Sequence, residues 1–89
     1  MANLFYGYVD TEGDYKKITD LKDGLTFTAG EKYRIQCQNV AVLCESATEP
    51  TDGGFTIYGS SIFEYTCKAN EDIYVKTMTN GAIINIAEV

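Results

Sequence analysis

Residues 32–38 read Lys-Tyr-Arg-Ile-Gln-Cys-Gln, a strict alternation with Tyr33, Ile35 and Cys37 on one face. Period two in aromatic and β-branched residues marks a half-buried strand. The same grammar returns along the chain. Residues 61–67 set Phe63, Tyr65 and Cys67 against Ile62, Glu64 and Thr66, and 72–78 set Ile73, Val75 and Thr77 against Tyr74, Lys76 and Met78. Residues 82–88 set Ile84 and Ile86 against Ile83, Asn85 and Ala87. Shorter strand candidates are 15–18, 25–28, 40–45 and 55–58. No window of eleven residues carries an unbroken apolar stripe at helical spacing.

The breakers agree with the strands. Asn80-Gly81 lies between two alternating runs and predicts a type I′ hairpin, because both residues tolerate positive φ. Gly59-Ser60 predicts a tight connection from 55–58 to 61–67, Ala29-Gly30 separates 25–28 from 32–38, and Asp23-Gly24 precedes 25–28. Glu49-Pro50-Thr51-Asp52-Gly53-Gly54 is a turn cluster. Seven or eight short strands with such frequent turns predict one all-β domain, a single antiparallel β-sandwich (jelly-roll-like) or a small barrel. The organisation expected is an N-terminal arm and acidic loop over residues 1–14, then the sandwich over 15–89. The parity of the runs places Phe27, Tyr33, Ile35, Cys37, Val42, Phe63, Tyr65, Ile73, Val75, Ile84 and Ile86 inside.

Composition narrows the function. The chain has 89 residues and a formal net charge of −6. This disfavours a partner that is nucleic acid or an anionic membrane surface, since both are held mainly by Lys and Arg. Histidine is absent, which removes Ser–His–Asp and Cys–His catalysis and imidazole metal sites. Cys37, Cys44 and Cys67 are odd in number and without CxxC spacing, so they read as buried structural thiols in a reducing compartment. A Cys37–Cys67 bridge requires their strands to face each other. The start, Met1 to Tyr8, has no basic segment followed by a long apolar run, so no signal peptide is expected, and no stretch is long enough for a membrane span.

Candidate chemistry is sparse. Asp10-Thr11-Glu12-Gly13-Asp14 alternates acids in a glycine-containing loop, yet lacks the downstream glutamate and flanking helix of a calcium loop, and reads as a solvated acidic loop. Gly53-Gly54 lacks the Lys-Ser/Thr and helix of a phosphate loop. No catalytic residue, cofactor or metal ligand is assigned. The informative excess is aromatic: seven Tyr and four Phe with no Trp. Tyr33 and Tyr65 fit the core, whereas Tyr6, Tyr8, Tyr15, Tyr58 and Tyr74 are hard to house together in so small an interior. Leu4, Phe5, Tyr6, Tyr8 and Val9 form an apolar run ahead of the acidic loop. It serves either as an interface with another subunit or as an edge strand of its own sheet.

The stretches Leu25 to Gln36, Glu45-Ser46, Pro50 to Phe55, Phe63-Glu64-Tyr65 and Asp72 to Lys76, closed by Asn80-Gly81, together resemble small β-sandwich domains of tailed-bacteriophage virion proteins. The resemblance spans roughly residues 25–89. It implies a non-enzymatic structural protein: a capsid decoration, head-fibre or tail-associated subunit, assembled in the host bacterial cytoplasm and located in the virion. Its partners would be other virion proteins and itself, as a homo-oligomer such as a trimer. Two further readings stand beside it. One is a carbohydrate- or host-surface-binding module using Tyr58 or Tyr74 near Asp72. The other is a small acidic inhibitor of a host defence protein presenting Asp10, Glu12 and Asp14 to a basic groove. A chelator is expected to leave the melting temperature of the full chain unchanged; a loss of several degrees would assign a structural cation to the acidic loop.

Overall fold

The computed structural model describes residues 3–59, 61–78 and 80–89, so Met1, Ala2, Ser60 and Thr79 lie outside the described residues. The alternating runs form strands β1 (Asn3–Val9), β2 (Lys16–Lys17), β3 (Lys32–Gln38), β4 (Val40–Ser46), β5 (Phe55–Tyr58), β6 (Ile62–Thr66), β7 (Asp72–Thr77) and β8 (Ala82–Glu88). Antiparallel pairs nest around the 47–54 connection: β4 with β5, β3 with β6, β2 with β7 and β1 with β8. The chain is thus a ribbon folded back on itself. Two further ladders, β3 with β8 and β4 with β7, roll that ribbon up. The result is two four-stranded sheets, β1-β8-β3-β6 (the first sheet) and β2-β7-β4-β5 (the second). This strand order is that of a jelly roll. The two sheets keep separate ladders, so the domain is a sandwich and not a closed barrel.

Rolling explains why several turn expectations need correction. Asn80-Gly81 does not close a hairpin, because β7 and β8 belong to different sheets. The turn instead carries the chain across the sandwich, with the Gly81 N–H donating to the Met78 carbonyl at 2.9 Å. Glycine is required there twice over: φ is +68°, and a Cβ would stand 2.7 Å from the Val9 carbonyl oxygen. Asn39, at φ 76°, makes the corresponding crossing between β3 and β4 as a single left-handed residue. Asparagine tolerates that conformation better than most residues. The turn expected at Gly59-Ser60 likewise connects strands of different sheets, and its Ser60 lies outside the described residues.

One expected strand is lost and another is shortened. Residues 25–28 are not a strand; they cross one end of the sandwich as a loop. Their backbone groups find partners other than a ladder: the Leu25 N–H donates to the Lys22 carbonyl, and the Thr28 N–H donates to the Tyr33 hydroxyl at 2.8 Å. Phe27 caps the core from this loop, its ring centroid 4.5 Å from Tyr33 and 5.5 Å from Tyr65. The expected strand at 15–18 shortens to β2, after which Ile18–Leu21 form a turn of 3-10 helix with Ile18 buried. Residues 3–9, expected to precede the sandwich as an arm, are its strand β1. A register shift between Asn3 and Phe5 turns both Leu4 and Phe5 towards the core. Such a bulge places two residues opposite one.

The interior follows the predicted parity, with one exception. Tyr33, Ile35, Cys37, Tyr65, Ile73, Val75, Ile84 and Ile86 are buried in one cluster, with Phe27 and Phe63 packed at its margin. From β4, however, Ala41 and Leu43 face this core, while Val42 faces out into a second small cluster with Tyr15 and Tyr74. The run 40–44 is apolar at every position, so parity there could not be read. Both faces of this strand are covered. At the end of β7, Thr77 and Thr11 are buried and bind reciprocally: each backbone N–H donates to the other's side-chain oxygen, at 2.9 and 2.8 Å. Two threonines thereby extend the β2–β7 seam with side chains where a ladder would have needed more strand.

Ile35 and Ile84 have no solvent exposure, so Ile35→Ala and Ile84→Ala are each expected to cost about 2–5 kcal/mol in denaturant unfolding. A change below ~0.5 kcal/mol at both sites would mean that the strands are one residue out of register.

The tyrosines make a sharper test. The Tyr65 hydroxyl is buried without a hydrogen-bond partner. Burial above all, then the Cys67 thiol and the carboxylates of Glu45 and Asp72, push its phenol above the ordinary value of 10.0. A folded-state value above the unfolded one means that the stability it contributes is full below about pH 10 and is lost as pH rises from there through the folded value. Tyr65→Phe should therefore leave stability at neutral pH unchanged or raised, and should flatten the alkaline loss. Tyr33→Phe removes the acceptor of the Thr28 N–H and should cost about 1 kcal/mol. Urea titrations at neutral and alkaline pH check both; parallel alkaline loss in wild type and Tyr65→Phe would refute the assignment.

Candidate functional site

The two outer faces of the sandwich differ. On the second sheet, Tyr15 lies over Val42, Tyr74 and Cys44, and its hydroxyl donates to the Gly53 carbonyl. The 47–54 connection closes over this cluster through Gly54 (φ +103°), where a Cβ would stand 2.8 Å from the Leu43 carbonyl oxygen. Burial, followed by Cys44 and Asp52, raises the Tyr15 phenol above its ordinary value. The Lys76 ammonium sits 4.9 Å from the Tyr15 ring centroid, a cation–π contact. This face is occupied by its own chain.

The outer face of the first sheet has no such cover. Register places Tyr6 beside Asn85 and Asn85 beside Gln36, in one row across β1, β8 and β3. The next row is Tyr8, Ile83 and Gln38. These are the outward positions of three alternating strands. Tyr6 is 60% exposed and Tyr8 64%, whereas Asn85 and Ile83 on the central strand are half-buried. A shallow pocket of about 220 Å³ lies here, lined by Tyr6, Gln36, Cys37, Gln38, Ile83 and Asn85. None of these residues is charged at neutral pH, although the chain carries a net −6. Cys37 reaches the pocket from the core side, and burial raises its thiol above the ordinary value, against a smaller lowering by the Ala41 backbone. One end of the Asn85 amide, Oδ1, is buried without a hydrogen-bond partner. Native structures leave few such groups unpaired, and each costs free energy.

The residues singled out by sequence are distributed as follows. Of the N-terminal run, Tyr6 and Tyr8 point outward, but Leu4 and Phe5 are half-buried against the core and Val9 is buried. Of the five residues expected to form an interface, Tyr6 and Tyr8 alone keep exposed side chains. Tyr74 is only 6% exposed, beneath Tyr15, and so is not a stacking platform. Tyr58 is exposed, but it pairs with Val40 at one end of β4 while Asp72 pairs with Ser46 at the other, roughly 20 Å along the strand. Asp72 is engaged with Lys17 at 3.5 Å. The tyrosine and the acid of the expected saccharide pair are not brought together.

The acidic loop is likewise divided. Asp10 and Glu12 border one pocket with Lys76, Thr77 and Met78. Asp14 borders another with Tyr15, Glu49 and Lys76. The Glu12 N–H donates to the Asp10 carboxylate at 2.9 Å, which is local turn chemistry. No group of three potential ligands among the described residues is arranged to hold a metal ion. All three cysteines are free thiols, so the considered Cys37–Cys67 bridge is absent.

Gln36, Gln38, Asn85 and Ile83 are the site residues that sequence reasoning missed. Their signal was present as the polar side of the alternations at 32–38 and 82–88. Which strands lie side by side was the lacking information, because β3 and β8 are separated by more than forty residues. Compared with known proteins, the chain matches no protein-family model, no curated protein and no solved structure.

Proposed function

We propose that the chain is a non-enzymatic structural subunit of a bacteriophage particle, of the capsid-decorating, head-fibre or tail-associated kind, and that it assembles with itself through the two free edges of its first sheet. The observation that carries this reading is the state of those edges. Strand β1 is seven residues long, contains no charged residue and, among the described residues, has no strand paired on its outer side. Natural edge strands are usually blunted with charge, proline or cover, because unpaired N–H and C=O groups template further pairing. Here only the bulge at Leu4 interrupts the edge.

The opposite side of the sandwich is apolar as well. Phe55 of β5 is 65% exposed, and its ring lies 6.2 Å from that of Phe63 on β6. Ile62 of β6, and Tyr58 at the other end of β5, are exposed as well. One side of the molecule thus ends in β1 with Tyr6 and Tyr8, the other in β6 with Phe55 and Ile62.

Direction makes these two edges compatible. In a sheet of four antiparallel strands the first and last run opposite ways. Rotating one copy about an axis along the strands brings β6 of one subunit antiparallel to β1 of the next, the better-bonded arrangement. Such head-to-tail contacts close into a ring when the rotation closes, and the trimer implied by the resemblance to virion domains is one such ring. The jelly roll supports this reading as an architecture found in capsid proteins, among other uses. The sequence contributes the absence of histidine and of any nucleophile motif.

Light scattering on the full chain is expected to give three times the 9.8 kDa of one copy. Phe55→Lys combined with Ile62→Lys is expected to give a folded monomer whose melting temperature no longer rises with protein concentration, as that of the assembled wild type should. Mass spectrometry of purified particles of the encoding phage should find the chain among the virion proteins. A wild-type chain that stays monomeric at micromolar concentration would overturn the assembly mode, and absence from particles would overturn the virion role.

A further inference from the structure

We infer that the outer face of the first sheet is a binding site for a neutral saccharide, centred on Asn85 between Tyr6 and Gln36. The lining has the chemistry such a ligand needs. Neutral sugars carry hydroxyl groups that both donate and accept, together with an apolar C–H face. Each carboxamide offers two donors and an acceptor from one planar group. Three of them, Gln36, Gln38 and Asn85, converge on one small pocket. The Tyr6 ring beside them supplies the apolar surface and a hydroxyl. Ligand sites commonly combine aromatic walls with a few placed polar groups in this way.

Geometry sets the extent of the site. Neighbouring strands stand about 4.8 Å apart, so the rows from β1 to β3 are about 10 Å wide, with a second row about 7 Å along. The half-buried Asn85 and Ile83 form the floor, Tyr6 one wall and the glutamines the other. The Asn85 Oδ1 lies out of solvent reach and without a hydrogen-bond partner. An amide buried with one end unpaired gains a partner if it turns towards an incoming hydroxyl, so binding relieves a cost already present in the free protein.

Charge selects among ligands. The six positions in the two rows are neutral, while the chain as a whole is acidic at −6. Anionic glycans are therefore disfavoured by the surrounding field and find no cation in the pocket. The site lies on the sheet face and the proposed assembly uses the strand edges, so this inference does not rest on self-association.

The test is nuclear magnetic resonance of the full-length, isotopically labelled chain. It is titrated to millimolar concentration with neutral oligosaccharides of glucose, galactose, mannose and N-acetylglucosamine, and with sulfated and sialylated counterparts. Shift changes are expected at Tyr6, Gln36, Gln38, Ile83 and Asn85 for at least one neutral sugar, and weaker ones for the charged series. Gln36→Ala with Gln38→Ala should weaken binding about tenfold without altering melting temperature or mass by light scattering, and Tyr6→Ala, at a residue that also flanks the β1 edge, should weaken binding by a similar factor. Absence of shifts with every neutral sugar would overturn the inference. So would shifts confined to the Tyr58 and Phe55 side, or a preference for the anionic series. Loss of binding accompanied by a change of mass would instead assign the effect to assembly.

Discussion

The ladder between β3 and β8 is the constraint on which the rest of the structure depends. The nested pairs alone would give a long two-stranded ribbon with no way to bury its apolar side. Pairing Ile35 with Ile86 and Cys37 with Ile84, together with the β4–β7 ladder, folds that ribbon onto itself and gives each sheet an inner face. Sheets stacked about 10 Å apart then exclude water from Ile35, Leu43, Val75, Ile84 and Ile86, none of which is exposed. Burying side chains of this size contributes roughly 1.5–3 kcal/mol each, which is large for so small a domain.

That arrangement dictates the unusual local chemistry. Apart from the 47–54 connection, every successive strand lies in the opposite sheet, so the chain must cross the sandwich repeatedly. Asn39 and Gly81 do this with positive φ, and the Asn39 amide donates to the Gly81 carbonyl at 3.5 Å, joining two crossings at one end. Where the β2 strand is too short, Thr11 and Thr77 bind each other in place of a ladder. Where the 22–31 loop passes over the core, the Tyr33 hydroxyl supplies a bond that a strand neighbour would have supplied. Buried backbone groups are satisfied by whatever the fold brings near.

The same topology separates what is available to a partner from what is not. The second sheet is covered over β7 and β4 by Tyr15 and the 47–54 connection, so Tyr15 and Tyr74 are spent on the molecule's own stability, while Tyr58 on β5 stays exposed. Among the described residues, the first sheet keeps an uncovered outer face and two edges with no paired strand. A face offers side chains and selects ligands by their chemistry, whereas an edge offers backbone groups and apolar flanks and suits another β-strand. Face and edge meet at Tyr6 and Ile62, which stand at the two ends of the row that runs through Asn85 and Gln36.

Strand existence, the all-β class and most of the core were legible in the sequence, because an alternation such as Tyr33-Arg34-Ile35-Gln36-Cys37 constrains each side chain's face without reference to anything distant. Turn positions were legible for the same local reason, through residues that tolerate special φ. The partner of each strand was not. Asn80-Gly81 has the composition of a hairpin, yet the pairing is decided by burial between residues far apart in the chain, and the turn became a crossing. Val42, inside an unbroken apolar run, carried no parity signal until β4 was flanked by β5 and β7. Tyr74 and Tyr6 both occupy outward positions of their strands, and sequence alone treats them alike. Tertiary structure buries the first beneath Tyr15 and leaves the second in solvent, because whether an outward face is covered depends on where a connecting segment lies, which no local pattern encodes.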